Sequence, residues 1–201
     1  MIISDVMMPD MDGWEVYQQL KANKNTRDIP VIEDAAHSLG TTWHGQNIGT
    51  IGKIGCFSFQ SYKMINAGEG GIMITDDADL IARAVIMSGA YEHNWKKHKG
   101  PRGENSSDLQ DAFARWQNQL PLYNLRMGNL SAAVIRPQLP ELARRLAAAG
   151  LRGLPRDAAP AFLQQVARRA DTAGMADLSL WALTTLRRTS PSGTGDATTE
   201  V

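Results

Sequence analysis

The segment "CFSFQSYKMINAGEGGIMIT", residues 56–75, is the part of the chain that most constrains its fold. The alternation in "CFSFQ" is typical of a half-buried β-strand. "GEGG" then allows a tight turn, because glycine adopts backbone conformations that other residues avoid. "GIMIT" predicts a second strand. The segment therefore predicts two strands joined by a loop, and that loop carries a single lysine, Lys63.

Composition excludes several classes of protein. Of the 201 residues, 43% are hydrophobic, which is enough for a globular core, and 21 basic residues balance 21 acidic ones. A neutral chain gives no electrostatic reason to expect nucleic acid as a partner. The one cysteine, Cys56, excludes an internal disulfide and a cysteine metal cluster, and we expect no metal site.

The chain contains no apolar run long enough for a membrane span, so we expect no membrane association. Asp5, Asp10 and Asp12 occupy the region where a signal peptide would carry positive charge. These observations predict a cytoplasmic protein.

The central part of the chain predicts an α/β fold. Short strands are expected at residues 30–34, 54–59 and 71–75, and a helix at residues 77–88. These elements should form one sheet with the helix packed against it. Residues 92–118 are polar and predict a long surface loop.

The C-terminal part differs in composition, since residues 141–188 are rich in alanine, arginine and leucine. An apolar stripe at helical spacing predicts an amphipathic helix, and "DLSLWALTTLRR" predicts a second one. The stripe comprises Phe162, Leu163, Val166, Ala167 and Ala170. Pro137 and Pro140 should interrupt any continuous helix before this region. Residues 189–201 are small and polar, and we expect a disordered tail.

The N-terminal stretch "DVMMPDMDG" resembles the phosphoacceptor segment of response-regulator receiver domains, with Asp5 in the position of the phosphorylated aspartate. Phosphorylation there needs a divalent cation held by several carboxylates. The acidic pair of the family's first strand has no counterpart in this chain. We therefore expect Asp5 to be a solvated loop carboxylate that small phosphodonors do not modify, and a phosphoacceptor fragment is the alternative function.

The strand and the glycine turn beside Lys63 favour a functional lysine, such as one that forms a Schiff base with pyridoxal phosphate. Such a lysine needs a carboxylate facing the pyridine nitrogen, so that the ring draws electrons from the α-carbon of the substrate. A hydroxyl or backbone amide must hold the phosphate. "PVIEDAAHSLG", upstream of Lys63, ends a predicted strand in two carboxylates, Glu33 and Asp34.

At these residues the chain resembles the DegT/DnrJ/StrS family of sugar aminotransferases, within the fold-type I pyridoxal phosphate enzymes. The matching segments are "VIEDAAHSLG", "GTIGKIGCFSFQSYKMINAGEGGIMITDD" and "YNLRMGNLSAAVIRPQL", over about residues 30–142. The resemblance implies a partial fold-type I large domain, pyridoxal 5'-phosphate as cofactor, and a keto sugar nucleotide and an amino-acid donor as substrates. It also implies a homodimer.

The resemblance implies a role for five residues. Lys63 would form the covalent imine with the cofactor and move the proton between the α-carbon and C4′. Asp34 would pair with the pyridine nitrogen, His37 would contact the 3-oxygen side of the ring, and Ser58 would bind the phosphate. Asn124 would reach the phosphate of the neighbouring subunit's cofactor.

Four of these five residues also have a purely structural interpretation, and for Lys63 it is that of an ordinary solvated loop lysine. Asp34 could cap the turn that follows it, and Glu33 competes for the role of Asp34. His37 could be a satisfied core histidine, and Ser58 an ordinary strand residue.

The two resemblances meet at "PVI", residues 30–32, inside a predicted strand. Natural fusions join whole domains through linkers, so we hypothesise a chimeric chain. The expected divisions are a truncated receiver-like segment at residues 1–32, a partial aminotransferase domain at 33–142, a helical segment of unknown origin at 143–188 and the tail at 189–201. We expect no counterpart of the family's phosphate loop, stacking aromatic residue and small domain within these 201 residues. We therefore expect weak cofactor binding without turnover, and a chain with neither activity is a third possibility.

Overall fold

The computed structural model of the chain describes residues 1–5, 8, 10–89, 107–154, 158–172 and 175–189, and the side chains among these up to residue 186. The chain divides into two compact units, Met1–Gln138 and Leu139–Val201. None of the helices in these described ranges is both long and apolar enough to cross a membrane.

The first unit is built on a four-stranded sheet. Its strands are β1 (Ile2–Asp5), β2 (Val31–Asp34), β5 (Ile54–Ser58) and β6 (Gly71–Ile74), in the order β1-β2-β5-β6. A small antiparallel pair, β3 (Thr42–Trp43) and β4 (Gln46–Asn47), lies in the connection between β2 and β5. β1, β2 and β5 run parallel, whereas β6 is antiparallel to β5. The three strands predicted from the sequence are confirmed.

The register of the sheet aligns the ends of three strands. Asp5 lies opposite Asp34, Asp34 opposite Cys56, and Ser58 opposite Gly71. Because paired residues point to the same face and side chains alternate along a strand, Asp34, Cys56 and Ser58 share one face of the sheet. The carboxyl ends of the parallel strands are thereby gathered at one edge.

The opposite face of the sheet packs on the core of the first unit. Trp14, Ala35, Ile48 and Phe57 are its buried members. The indole of Trp14 stacks on that of Trp43, with ring centroids 5.3 Å apart. Helix α1 (Gly13–Ala22) supplies Trp14, and the Asp12 carboxylate caps the helix by accepting hydrogen bonds from the N–H groups of Trp14 and Glu15. The core therefore fixes the sheet from the face away from Asp34.

The predicted helix at residues 77–88 is confirmed as α2 (Ala78–Met87). Asp77 caps its first turn by accepting a hydrogen bond from the N–H of Leu80, at 3.0 Å. Gly89 follows the helix with φ +101°, a conformation that favours glycine.

The prediction of a surface loop at residues 92–118 is wrong for the second half of that range. Residues 107–116 form helix α3 (Ser107–Trp116), while residues 90–106 lie outside the described ranges. Ala112 and Phe113 of α3 are buried against Ala82 and Ile86 of α2. Tertiary packing of this apolar stripe stabilises a helix in a segment whose overall polarity indicated a loop.

The interruption expected at the prolines is confirmed. Helix α4 (Asn129–Ile135) passes into a 3₁₀ turn, Arg136–Gln138, and helix α5 (Leu142–Arg152) begins only after Pro140. Proline lacks the N–H that a continuous helix needs, which explains the break.

The second unit, as far as it is described, consists of α5, α6 (Ala159–Thr172) and α7 (Ala176–Thr189). Leu163 and Ala167 of α6 and Ala182 of α7 form its buried core. The two helices and the apolar stripe predicted for this region are confirmed. Thr189 belongs to α7 rather than to the expected tail, whose remaining residues, 190–201, lie outside the described ranges.

Candidate active site

Lys63 lies in the loop that connects β5 to β6. The loop is closed at its base by hydrogen bonds from the Phe59 N–H to the Gly70 carbonyl, at 2.8 Å, and from the Ala67 N–H to the Phe59 carbonyl, at 2.9 Å. Gly68 and Gly70 have φ values of +83° and +135°, which a residue with a Cβ rarely adopts. The glycine cluster therefore returns the chain to β6 and leaves the lysine at the carboxyl end of β5.

The amine of Lys63 contacts the imidazole of His37. Nζ lies 2.9 Å from Nε2 and 3.3 Å from Nδ1 of that ring. His37 is exposed, whereas Lys63 is half-buried. His37 lies in the turn that follows β2, so the contact joins the ends of two neighbouring strands. The structural interpretation of His37 as a core histidine is wrong, because its side chain is exposed.

Asp34 is the last residue of β2, and its side chain is exposed. Its Oδ1 accepts a hydrogen bond from the N–H of Ala36, at 3.2 Å, so the expected turn-capping role is present. Cys56 lies opposite Asp34 in the sheet. The pKa of its thiol is raised, mainly by burial and secondly by the charge of Asp34. The Asp34 carboxylate is thus directed to the sheet face that carries Cys56 and Ser58.

Glu33 does not compete with Asp34 for this face. Its side chain is only 2% exposed, and its two oxygens accept hydrogen bonds from three backbone N–H groups of the loop before β5. The donors are Gly49, Ile51 and Gly52. Of the two carboxylates that end "PVIED", Asp34 alone remains accessible to a ligand on this strand.

Ser58 ends β5 and is half-buried. Its Oγ accepts a hydrogen bond from the N–H of Gln60, at 3.2 Å. The hydroxyl therefore helps to begin the loop that carries Lys63, and it lies on the same sheet face as Asp34.

Asn124 belongs to an exposed segment without regular secondary structure beside the end of α2. The segment is held by hydrogen bonds from the Tyr123 N–H to the Met87 carbonyl, at 2.8 Å, and from the Leu125 N–H to the Ser88 carbonyl, at 3.0 Å. Within the described residues, the Asn124 side chain makes no hydrogen bond to the other four predicted site residues. Its role stays a prediction.

Asp5 ends β1 beside Asp34 and is exposed. In the described ranges, no group of three or more histidine, cysteine, aspartate or glutamate side chains could hold a metal ion. The phosphoacceptor role of Asp5 therefore has no structural support from these residues.

A comparison with known protein families supplies the identification. The sequence profile of the DegT/DnrJ/EryC1/StrS aminotransferase family matches residues 11–168. The chain belongs to this family. The family match begins inside the segment compared with receiver domains, so it includes α1, and it ends inside α6, beyond residue 142. The receiver resemblance and the chimeric origin stay predictions.

Curated proteins are similar to this chain over part of their length. The chain is 30% identical to 3-amino-5-hydroxybenzoate synthase of Amycolatopsis mediterranei over 141 residues, which are 70% of this chain and 31% of that protein. It is 42% identical over 73 residues to the uncharacterized protein MJ1066 of Methanocaldococcus jannaschii, covering 35% of this chain and 19% of that one. The matched region thus spans less than a third of these relatives.

Solved structures share the fold of this chain. A GDP-4-keto-6-deoxymannose-3-dehydratase with a trapped PLP-glutamate geminal diamine has a TM-score of 0.51 and 25% identity, over 71% of this chain and 36% of the dehydratase. The E. coli GDP-4-keto-6-deoxy-D-mannose-3-dehydratase with bound hydrated PLP also has a TM-score of 0.51, at 24% identity, over 74% and 39% of the two chains. The predicted fold, a partial fold-type I large domain, is confirmed. The predicted cofactor is the one that both dehydratases hold.

Proposed function

We propose that this chain is the lysine-bearing part of a pyridoxal-phosphate-dependent aminotransferase of the sugar-nucleotide type. The observation that carries the proposal is the contact between Lys63 and His37, at the sheet edge where β2 ends in Asp34. An amine and an imidazole from two neighbouring strand ends are in contact, and one of those strands ends in the Asp34 carboxylate. Ligands bind at such an edge in open α/β sheets.

The groups at this edge fit the groups of pyridoxal phosphate. Asp34 would hold the pyridine nitrogen protonated, and Ser58, on the same face, would donate to the phosphate. The Lys63 amine would bind at the aldehyde carbon, and His37 would face the neighbouring ring oxygen. When bound, the cofactor supplies an electron-withdrawing ring that stabilises negative charge on the α-carbon of an amino acid.

Before the donor gives up its amino group, the free amine of Lys63 would carry the proton between the α-carbon and C4′. A flexible amine at the rim of the sheet suits this role, because it can approach the ring from one face while Asp34 stays in place. His37 would keep the amine on that side.

The substrates would be a keto sugar nucleotide and an amino-acid donor such as glutamate. The first solved relative supports both classes, since its name contains a GDP-linked keto sugar and its cofactor is trapped with glutamate. The sugar and its stereochemistry are left open by this support.

We also propose that the family's homodimer forms through the segment around Asn124. Leu122, Tyr123, Leu125 and Leu130 are between 51% and 84% exposed, an unusual concentration of large apolar side chains in one stretch. Burial of this stretch against a second copy would bring Asn124 to the neighbouring site. Sedimentation of the chain at several concentrations tests this part of the proposal.

Cofactor capture by the isolated chain tests the central proposal. The protein is incubated with pyridoxal phosphate, reduced with borohydride and digested, and the modified lysines are mapped. We expect selective modification of Lys63, abolished in Lys63→Arg and reduced in Asp34→Ala, but retained in the matched control Lys53→Arg. Equal modification of Lys53, Lys63, Lys96 and Lys97 would contradict the proposal. Transamination turnover is not expected from this chain alone.

A further inference from the structure

Glu33 has an unusual position for a carboxylate. It adjoins Asp34 in β2, yet it points to the opposite face of the sheet and is among the most deeply buried large side chains that the structure describes. Oε2 accepts a hydrogen bond from the Gly49 N–H at 2.6 Å, and Oε1 accepts from the N–H groups of Ile51, at 2.7 Å, and Gly52. A buried carboxylate that accepts three bonds from one loop holds that loop strongly.

The loop is shaped to enclose this carboxylate. A Cβ at Gly52 would lie 2.7 Å from the Val31 carbonyl oxygen and 3.0 Å from Cγ of Glu33. A Cβ at Gly55 would overlap the Gly49 carbonyl oxygen. Glycine at position 52 therefore lets the loop approach β2 closely, and glycine at position 55 lets Gly49 approach β5.

The same loop leads directly into β5. The N–H of Lys53 donates to the Val31 carbonyl at 2.8 Å, and the parallel pairing then continues from Ile32 opposite Ile54 to Asp34 opposite Cys56. The position of β5 along β2 decides how far Ser58 lies from Asp34. A slip of one residue would move Ser58 to the other face of the sheet.

We propose that Glu33 is a positioning residue for the cofactor site: by fixing the loop of residues 49–52 to β2, it sets the spacing and the shared face of Asp34 and Ser58. The expected consequence of this role is a higher affinity for the cofactor, and this part of the inference rests on the proposed function. The physical effect is preorganisation, because a site whose two anchoring groups are held at the correct spacing loses less freedom on binding.

A buried carboxylate could instead contribute to stability alone, and a matched variant separates the two roles. Glu33→Gln keeps the volume and removes the charge that the three N–H groups face. Ile48 belongs to the core on the same side of the sheet and is 8% exposed, and it makes no bond to Glu33. The control is Ile48→Val or Ile48→Ala. The one chosen is the variant whose melting temperature falls by the same amount as that of Glu33→Gln.

Two measurements are made on each folded variant. The first is the pH dependence of Cys56 alkylation, which reports on the pairing of Cys56 with Asp34 without any cofactor. The second is the affinity for pyridoxal phosphate, measured by spectral titration together with the ratio of Lys63 to Lys53 modification.

We expect Glu33→Gln to shift the Cys56 profile towards that of Asp34→Asn and to weaken cofactor affinity by about tenfold or more. The Ile48 control should change neither. Glu33→Asp, which keeps the charge but shortens its reach, should act in the same direction as Glu33→Gln and serves if that variant does not fold. Identical Cys56 profiles in the Glu33 and Ile48 variants at equal melting temperature would overturn the inference. If the wild-type chain shows no selective Lys63 modification, the proposed function fails, whereas the Cys56 profiles still decide whether Glu33 sets the strand position.

Discussion

The amine of Lys63 and the imidazole of His37 are hydrogen-bonding neighbours, with Nζ 2.9 Å from Nε2. One residue comes from the turn after β2 and the other from the loop after β5. The contact therefore holds a flexible side chain at one point of the sheet edge before any ligand is bound.

His37→Ala should lower the selectivity of Lys63 modification by pyridoxal phosphate several-fold, because the amine loses the partner that holds it at this edge of the sheet. The free energy of unfolding should change by no more than about 0.5 kcal/mol, since His37 is exposed. The measurement is the ratio of Lys63 to Lys53 modification after borohydride reduction. Lys53 is a suitable internal reference because Asp77 holds it in an ion pair at 2.7 Å. An unchanged ratio would show that the contact does not place the amine.

Asp34→Asn should make the Cys56 thiol more reactive. Burial, followed by the Asp34 charge, raises the pKa of this thiol, so removing the charge should lower the pKa only part of the way towards its ordinary value. The measurement is the alkylation rate between pH 7 and 10, with the urea-unfolded chain as reference. Interpretation is direct because Cys56 is the only cysteine. Equal profiles for the wild type and Asp34→Asn would mean that burial alone perturbs the thiol.

Asp77→Asn should remove a pH-dependent part of the stability of the first unit. Its ion pair with Lys53, together with the N–H of Leu80, lowers the pKa of the Asp77 carboxyl. A lowered pKa stabilises the fold above the unfolded value of about 4, and this stabilisation is lost as pH falls through the folded pKa. At pH 6 we expect the free energy of unfolding of the wild type to exceed that of Asp77→Asn by less than about 1 kcal/mol. This difference should vanish in acid.

Urea unfolding of both proteins between pH 6 and pH 3 measures that difference. Asparagine also caps helices well, so the variant isolates the charge from the cap. A difference that stays constant down to pH 3 would contradict the prediction.

Gly55→Ala should destabilise the first unit by about 3 kcal/mol, because its methyl group would overlap the Gly49 carbonyl oxygen and force β5 away from the preceding loop. Gly128→Ala is the control, since a Cβ there has no atom within 4 Å and φ is −66°. The control should change the free energy of unfolding by less than about 1 kcal/mol. Thermal unfolding followed by circular dichroism compares the two. Similar melting temperatures would show that β5 and the loop can separate without cost.

The sequence predicted the strands around Lys63 because their signals are local. The alternation in "CFSFQ" and the glycines that follow depend on a few adjacent residues, and the structure has β5 and β6 there. Helix α3 was missed although Leu109, Ala112, Phe113 and Trp116 carry a helical spacing. The surrounding polar residues made the segment look like a loop. The residues of α2 that pack on this stripe are distant in the sequence, so they gave no local signal.

The role of Glu33 could not be predicted from its neighbours. Beside Asp34 it is one of two similar carboxylates, and only the loop at residues 49–52 distinguishes them by enclosing Glu33. The spacing of Lys63 and His37 likewise depends on the pairing of β2 with β5. The residue types at the site could be predicted from the sequence, whereas the contacts between them required the register of the sheet.

The antiparallel direction of β6 has a consequence for the order of folding. Ser58 pairs with Gly71 across the loop that carries Lys63, whereas the pairing of Asp34 with Cys56 and of Ile2 with Val31 closes longer connections. Contacts between residues close in sequence form sooner, because less chain entropy is lost. We therefore expect the β5–β6 hairpin to gain protection from pulsed hydrogen exchange before β1 and β2 do. Lys63 would then be part of a formed hairpin before β2 pairs with β5 and adds Asp34 to the site.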